Sequence, residues 1–183
     1  MKLALHTCCA PCLIGCIDWF LGSDGTTVDG EPFAVDDVRC VYYNPNIGPA
    51  DEYARRRDTF ADYAIGRGLD WVELEYEPDA WWRAIGDDRR FGVRCAGCYR
   101  VRFERVADWA AAAGYDTLAT TLAISPWQNL DAINATGRAA AATRGLRWLA
   151  CDLRPLYRAG QQRAREMGIY RQKYCGCELS LNE

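Results

Sequence analysis

Three thiols fall within five residues in His6-Thr7-Cys8-Cys9-Ala10-Pro11-Cys12, where the first apolar run gives way to a helical pattern. A thiolate just ahead of a helix meets unpaired backbone N–H groups and the positive end of the helix dipole, and both lower its pKa. Thiols so placed bind metals or exchange electrons, and this loop is read as the active site. An isolated buried cysteine often serves only as a small hydrophobe, but three in so short a run exceed what packing asks for. Two further pairs follow, in Cys95-Ala96-Gly97-Cys98 and in Cys175-Gly176-Cys177 near the end of the chain. Cys9-x2-Cys12 and Cys95-x2-Cys98 supply the four-thiolate arithmetic that a tetrahedral zinc satisfies. The side chains of adjacent Cys8 and Cys9 diverge, however, and reach one object more easily when it is large, which makes an iron–sulfur cluster the better fit. A thioredoxin-like exchange motif at Cys9 to Cys12 is the third reading, and it leaves Cys95 and Cys98 without a role. Cys175 and Cys177 can close a small strained disulfide ring that is easy to reduce.

Other residues with chemical potential have plainer readings. Cys16, Cys40 and Cys151 lie on apolar patterns and are assigned to packing. His6 is the sole histidine, and it is read as a hydrogen-bonded structural residue closing a strand rather than as a catalyst. Tyr42, Tyr43 and Trp127 are read as core residues, and the Trp81-Trp82 segment as core packing rather than a stacking surface for bases.

The elements that position these residues alternate along the chain. Lys2 to His6 reads as a strand and Cys12 to Leu21 as a buried helix, with Pro11 near its first turn, where a missing N–H is harmless. Gly22 to Asp37 has no usable period and is read as an exposed excursion without chemistry. Val38 to Tyr43, Leu69 to Tyr76, Tyr115 to Leu122 and Leu146 to Ala150 read as further strands. Helices are expected from Ala50 to Arg67, from Cys95 to Gly114 and within Pro126 to Gly145. That rhythm predicts an α/β fold with a parallel sheet covered by helices, and with ligands at the carboxyl ends of the strands, where both cysteine loops lie.

At 183 residues, half of them hydrophobic, the chain is read as one domain spanning 1–183. Its first apolar run is too short for a signal peptide and no stretch is long enough to span a membrane, so a cytoplasmic location is expected. Ten cysteines in such a chain argue against a disulfide scaffold and for metal or redox work. The formal charge of −3 is unlike that of a nucleic-acid binder, yet every positive side chain but Lys2 and Lys173 is arginine, the residue best suited to phosphate. Arg55-Arg56-Arg57 and the series Arg89, Arg90, Arg94, Arg100, Arg102 and Arg105 form the local clusters. Solvated faces with helix-supporting ion pairs are the alternative account of both.

Five ordered motifs together carry a family resemblance. They are His6-Thr7-Cys8-Cys9-Ala10-Pro11-Cys12, Tyr43-Asn44-Pro45-Asn46-Ile47, Arg94-Cys95-Ala96-Gly97-Cys98-Tyr99, Thr120-Thr121-Leu122 with Ser125-Pro126-Trp127-Gln128, and Tyr170-Arg171-Gln172-Lys173-Tyr174-Cys175-Gly176-Cys177. Over nearly its whole length the chain resembles the cobalamin-independent epoxyqueuosine reductases of the QueH type. The resemblance implies a [4Fe-4S] cluster on Cys8, Cys9, Cys95 and Cys98, with Cys12 either joining the ligand set or helping to hold a second metal ion. It also implies a redox-active Cys175/Cys177 pair and, as substrate, a tRNA carrying epoxyqueuosine at the wobble position of its anticodon loop. An external electron donor is then required. The fold implied is a Rossmann-like, adenine-nucleotide hydrolase-like sheet with helices on both faces, and since thiols replace its usual phosphate-cradling glycine and serine, no ATP requirement is expected. Tyr99 and Asp152 are candidate proton sources, and Arg94, Arg100 and Arg55 to Arg57 are the arginines expected to hold RNA phosphates. Gly48 stands where the family pattern has a histidine. A zinc-stapled RNA-binding module and a thiol–disulfide oxidoreductase are the rival functions.

Overall fold

The computed structural model describes residues 1–22, 27–28, 31–32 and 34–181. Its first half runs β1 (Lys2–His6), α1 (Ala10–Leu21), β2 (Thr27–Val28), β3 (Glu31–Pro32), β4 (Asp37–Tyr42), α2 (Ala50–Gly66) and β5 (Trp71–Glu73). The second continues through α3 (Pro78–Ile85), α4 (Val93–Ala112), β6 (Thr117–Thr120), α5 (Leu130–Ala142), β7 (Arg147–Trp148) and α6 (Tyr157–Glu166). Leu3, Ala4 and Leu5 are wholly buried, as an apolar run in a strand covered on both faces should be. Accordingly β1 is the central strand of a five-stranded sheet ordered β5-β4-β1-β6-β7, with every neighbouring pair parallel.

The chain builds outward from β1 to β5 and then crosses back through α3 and α4 to lay β6 on the other side of β1. Such a reversal opens a crevice at the carboxyl ends of the two strands that part there, β1 and β6. Helices cover both faces: α1 packs on α2 and α6, while α4 packs on α3 and α5. One hydrophobic core joins the sheet to both layers, and a smaller cluster of Trp81, Ile85 and Cys177 ties the tail to α3. Among the described residues, no helix is long and apolar enough to cross a membrane.

The expected rhythm is present, with differences that have physical causes. The third sheet strand is short, since β5 is an edge strand that pairs only with β4. The expected strand Tyr115 to Leu122 gives way after Thr120 to a 3-10 turn over Thr121–Ile124, which Thr120 caps by accepting from the Leu122 N–H. Within the Gly22 to Asp37 excursion, Thr27–Val28 and Glu31–Pro32 pair antiparallel; residues 23–26, 29–30 and 33 lie outside the described residues. α6 has no counterpart in the sequence reading. Its buried residues are only Gly160 and Ala164, so it lacks the apolar stripe by which helices are recognised.

Small residues nonetheless seat α6 closely. A Cβ on Gly160 would lie 2.5 Å from the Gly15 Cα, so the two helices cross at a glycine pair. This contact sets α6, and the tail that follows it, against the helix that begins at the thiol loop.

Candidate metal centre

The thiol loop leaves the carboxyl end of β1, and Cys9 is the N-cap of α1, with Pro11 in the first turn. The Sγ atoms of Cys8, Cys9 and Cys12 lie within 4.8 Å of one another, and all three residues are buried. Donors converge on this sulfur. The Thr121 hydroxyl, from the turn after β6, donates to Cys8 Sγ at 3.2 Å and accepts from the Cys8 N–H at 3.0 Å. The Gln172 amide, from the tail, donates to Cys9 Sγ at 2.9 Å. Hydrogen bonds from Cys12 and Cys9 hold the Cys8 thiol well below its ordinary pKa, while Cys12 is pushed well above its own by Cys8. A buried, donor-fed group of three sulfurs suits a thiolate-bound metal centre, whose ligands are deprotonated and whose sulfurs accept hydrogen bonds.

Cys95 and Cys98 lie in the first two turns of α4 and line a cavity of about 320 Å³ together with Tyr99, Arg94, Arg102, Cys175 and Cys177. Cys12 and Gln172 border an adjoining cavity of about 370 Å³. Trp127, Gln128, Lys173, Tyr174 and Cys175 belong to the walls of both. All seven clustered cysteines thus face one region, though only Cys8, Cys9 and Cys12 form the tight group. Cys16, which donates to the Cys12 carbonyl at 3.1 Å, and Cys40 are buried packing residues as expected.

The tail is fastened down along its length. Tyr170 donates to the Glu52 carboxylate at 2.9 Å beneath the Arg55 guanidinium, and Arg56 stands over the Tyr174 ring and donates to its carbonyl at 3.3 Å. The Gly48 N–H donates to the Gly176 carbonyl and the Tyr174 hydroxyl to the Gly48 carbonyl. Backbone atoms at position 48 therefore do the joining, and the absent histidine is not needed for it. Gly176 adopts φ +113°, a conformation open to glycine, with Ile47 and Arg56 atoms 2.9 Å from where a Cβ would stand. Fastened in this way, Cys175 and Cys177 are both free thiols, Cys175 exposed and Cys177 buried. A hydrogen bond from Cys177 lowers the Cys175 pKa to about 5, and the same interaction raises that of Cys177.

The remaining sequence candidates separate by position. His6 is fully buried; its Nε2 faces the Tyr43 carbonyl and its Nδ1 the Thr120 hydroxyl, so the neutral ring donates to one and accepts from the other. Burial lowers its pKa to about 3, in keeping with a structural role. Tyr99 donates to Gln128 Oε1 at 2.6 Å, and burial raises its pKa, so it keeps its proton. Asp152 lies on neither cavity wall. Arg154 grips it through three hydrogen bonds, two from the guanidinium and one from the backbone N–H, and holds its carboxyl below the usual range, so it stays ionised. Arg56 is 2 % exposed and committed to Glu52 and the tail, so its guanidinium serves the fold rather than an outside phosphate. Arg55, Arg57 and Arg100 reach solvent, and Arg94 is buried at the cavity wall with its Nη1 on the Arg89 carbonyl.

Tyr42 and Tyr43 are core residues as read, and so is Trp81 at 2 % exposed, but Trp127 is 76 % exposed. The turn around Ser125 to Gln128 carries it onto a cavity wall to which Phe91, 70 % exposed, also belongs. Three residues around the thiols were not singled out by the sequence: Thr121 and Gln172, which donate hydrogen bonds to sulfur, and Asn44, which donates to the Thr7 carbonyl at 2.9 Å and accepts from Arg102 at 2.6 Å. Each belongs to a motif that carried the resemblance, which was the available signal.

Comparison with known proteins agrees with this arrangement. The family model described as epoxyqueuosine reductase QueH matches residues 3–183. The protein named epoxyqueuosine reductase QueH from Thermotoga maritima is 34% identical over 187 residues, covering 98% of this chain and 90% of its own length. Its namesake from Acinetobacter baylyi is 32% identical over 190 residues, covering 100% and 81%. Among solved structures, the U34-tRNA thiolase NcsA from Methanococcus maripaludis, determined with its [4Fe-4S] cluster, superposes with a TM-score of 0.58 at 12% identity. That match covers 98% of this chain and 61% of the thiolase, and shows that the two share a fold. With a match that runs from the first strand through the Cys-Gly-Cys tail, the chain belongs to the epoxyqueuosine reductase QueH family.

Proposed function

We propose that this chain, acting as a single domain over 1–183, reduces epoxyqueuosine to queuosine at the wobble position of a tRNA anticodon, with a [4Fe-4S] cluster and a Cys175/Cys177 dithiol as its redox groups. The observation that carries the reading is the meeting of three separate cysteine segments at the crevice between β1 and β6 in a member of this family. Cys8, Cys9, Cys95 and Cys98 are the assigned cluster ligands. Cys12, tightly grouped with the first two, is the alternative ligand or a support for a second metal ion. When bound, such a cluster supplies electrons singly and a Lewis-acidic iron.

Removing the epoxide oxygen as water to leave an alkene takes two electrons and two protons. Oxidation of the Cys175 thiolate and Cys177 thiol to a disulfide releases two electrons and one proton, and Tyr99, which keeps its phenolic proton at the cavity wall, is assigned the second. An external electron donor then supplies two electrons, and two protons from solvent restore the Cys177 thiol and the Tyr99 phenol. Thr121 and Gln172 hold the thiolates of the loop by hydrogen bonds to sulfur. For a base splayed out of the anticodon loop, Trp127 and Phe91 offer stacking faces on the cavity wall, and Asn46 Oδ1, buried and without a partner on the same wall, offers an acceptor. Arg94, Arg100, Arg55 and Arg57 are assigned to phosphates. The cytoplasm, where tRNA is modified, is the compartment this reading assigns.

The test is anaerobic purification with iron, sulfide and zinc analysis, followed by nucleoside mass spectrometry of epoxyqueuosine tRNA incubated with the protein and dithionite. A brown protein with about four irons and four sulfides per chain that yields queuosine bears out the reading. Cys175→Ser should then keep the visible spectrum and lose turnover. A colourless, zinc-loaded and inactive protein would point to a zinc-stapled RNA-binding module instead.

A further inference from the structure

Arg102 is 4 % exposed, yet every acceptor its guanidinium meets is formally neutral. Nη2 donates to Asn44 Oδ1 at 2.6 Å, Nη1 lies 3.9 Å from Cys98 Sγ, and Nε has no acceptor. Among the described residues no carboxylate pairs with it, although arginines on the surface nearby find theirs: Arg105 has Glu77 and Arg100 has Glu104. A buried cation without an anion is not tolerated in a protein interior unless something supplies the negative charge. Besides the Asn44 amide oxygen, the polar atom its guanidinium approaches is the sulfur of Cys98. Arg102 lines the same cavity as Cys95, Cys98, Cys175 and Cys177, so its guanidinium stands where the α4 thiols and the tail thiols meet. Asn44 aims the fork, being fixed in turn by its donation to the Thr7 carbonyl beside the thiol loop.

We propose that Arg102 is the counter-charge of the thiolate-bound centre, a positioning residue whose fixed positive charge makes that centre easier to reduce. The inference rests on the iron–sulfur reading above. Cluster and ligands together are anionic, and each electron accepted adds one more negative charge, so a cation held close by in a medium of low dielectric favours the reduced form. The orphaned Nε and the missing carboxylate follow directly: a carboxylate partner would neutralise the guanidinium and cancel the effect.

The experiment is a dye-mediated, dithionite-driven redox titration of the anaerobically purified protein, followed by visible absorption and electron paramagnetic resonance, on wild type, Arg102→Gln, Arg102→Lys and Asn44→Asp. Asn44→Asp leaves Arg102 in place and sets a carboxylate against it. At the wild-type midpoint potential, Arg102→Gln and Asn44→Asp should each hold about tenfold less reduced cluster relative to oxidised, a midpoint about 59 mV lower for a one-electron couple. Arg102→Lys should stay closer to wild type than either. A glutamine variant that fails to load iron while the lysine variant loads it also supports the counter-charge. Unchanged midpoints in Arg102→Gln or Asn44→Asp with full iron and sulfide overturn the proposal, as does an equal shift in the glutamine and lysine variants, which would mark a packing role. If the wild type itself carries no iron and sulfide, the iron–sulfur reading fails, and this inference with it.

Discussion

Cys175 and Cys177 are separated by one glycine but have opposite protonation preferences. The Cys177 thiol donates its S–H to the Cys175 sulfur in a hydrogen bond that keeps Cys175 ionised, with Ser180 adding a second contact at 3.1 Å. A pKa lowered to about 5 means that the Cys175 thiolate persists above that value and is lost as pH falls through it. Iodoacetamide alkylation of the reduced protein, read by peptide mass spectrometry, should therefore proceed at Cys175 at a nearly constant rate from about pH 6 to 8, whereas an ordinary thiol of pKa about 8.5 speeds up about tenfold per unit there. A tenfold-per-unit rise at Cys175 would show that the hydrogen bond does not hold in solution. Trp127 presents a different residue-scale question, because an aromatic side chain left 76 % exposed gains nothing from the core. Trp127→Ala should weaken binding of an epoxyqueuosine anticodon stem-loop by about 1–3 kcal/mol, measured by filter binding, with little change in thermal stability. Equal affinity would leave the cavity wall without a stacking role. At this scale the thiols were legible because type and spacing declare them. The burial of Arg102 and the exposure of Trp127 were not, since neither charge nor aromaticity says which way a side chain faces.

Among the elements, α6 is the one that sequence pattern concealed. Its polar composition hides a contact face made of Gly160 and Ala164, which works by letting the α1 backbone approach rather than by filling space. Gly160→Ala would set a methyl group 2.5 Å from the Gly15 Cα, a contact that only backbone movement relieves. The expected cost of such overpacking is about 1–3 kcal/mol. By scanning calorimetry that is about 2–12 °C in Tm for a chain of this size. An unchanged Tm would mean that α6 is not seated on α1 as described. The strands and the other helices were legible because their apolar residues recur with the period of the element. Their ends were not: the β6 boundary at Thr120 depends on a side-chain cap, and β5 is cut short by having one neighbour.

Taken whole, the molecule places its chemistry where a doubly wound sheet offers a crevice, and the surface around that crevice must meet a polyanion despite a net charge of −3. Local arginines rather than total charge decide this. If Arg55, Arg57, Arg94 and Arg100 each engage one phosphate, the logarithm of the tRNA association constant should fall with the logarithm of salt concentration at a slope of about −3. Arg55→Gln and Arg100→Gln should each reduce that slope by about 0.7. A salt-independent affinity would remove phosphates from the interface. The rhythm of the chain already implied this architecture, but it could not show that the thiol loop and the Thr121 turn share the crevice.

By itself the amino-acid sequence determined the kind of chemistry, the alternation of strands and helices and the family resemblance, because each is written in residue types and short spacings. Only the tertiary structure decided which residues support that chemistry. Thr121 meets Cys8 across 113 positions, Gln172 meets Cys9 across 163, and Arg102 meets Asn44 across 58. The physical reason is that hydrogen bonding and burial depend on distance in space. Local pattern constrains that distance within an element, and between elements it is settled by how the layers pack around β1.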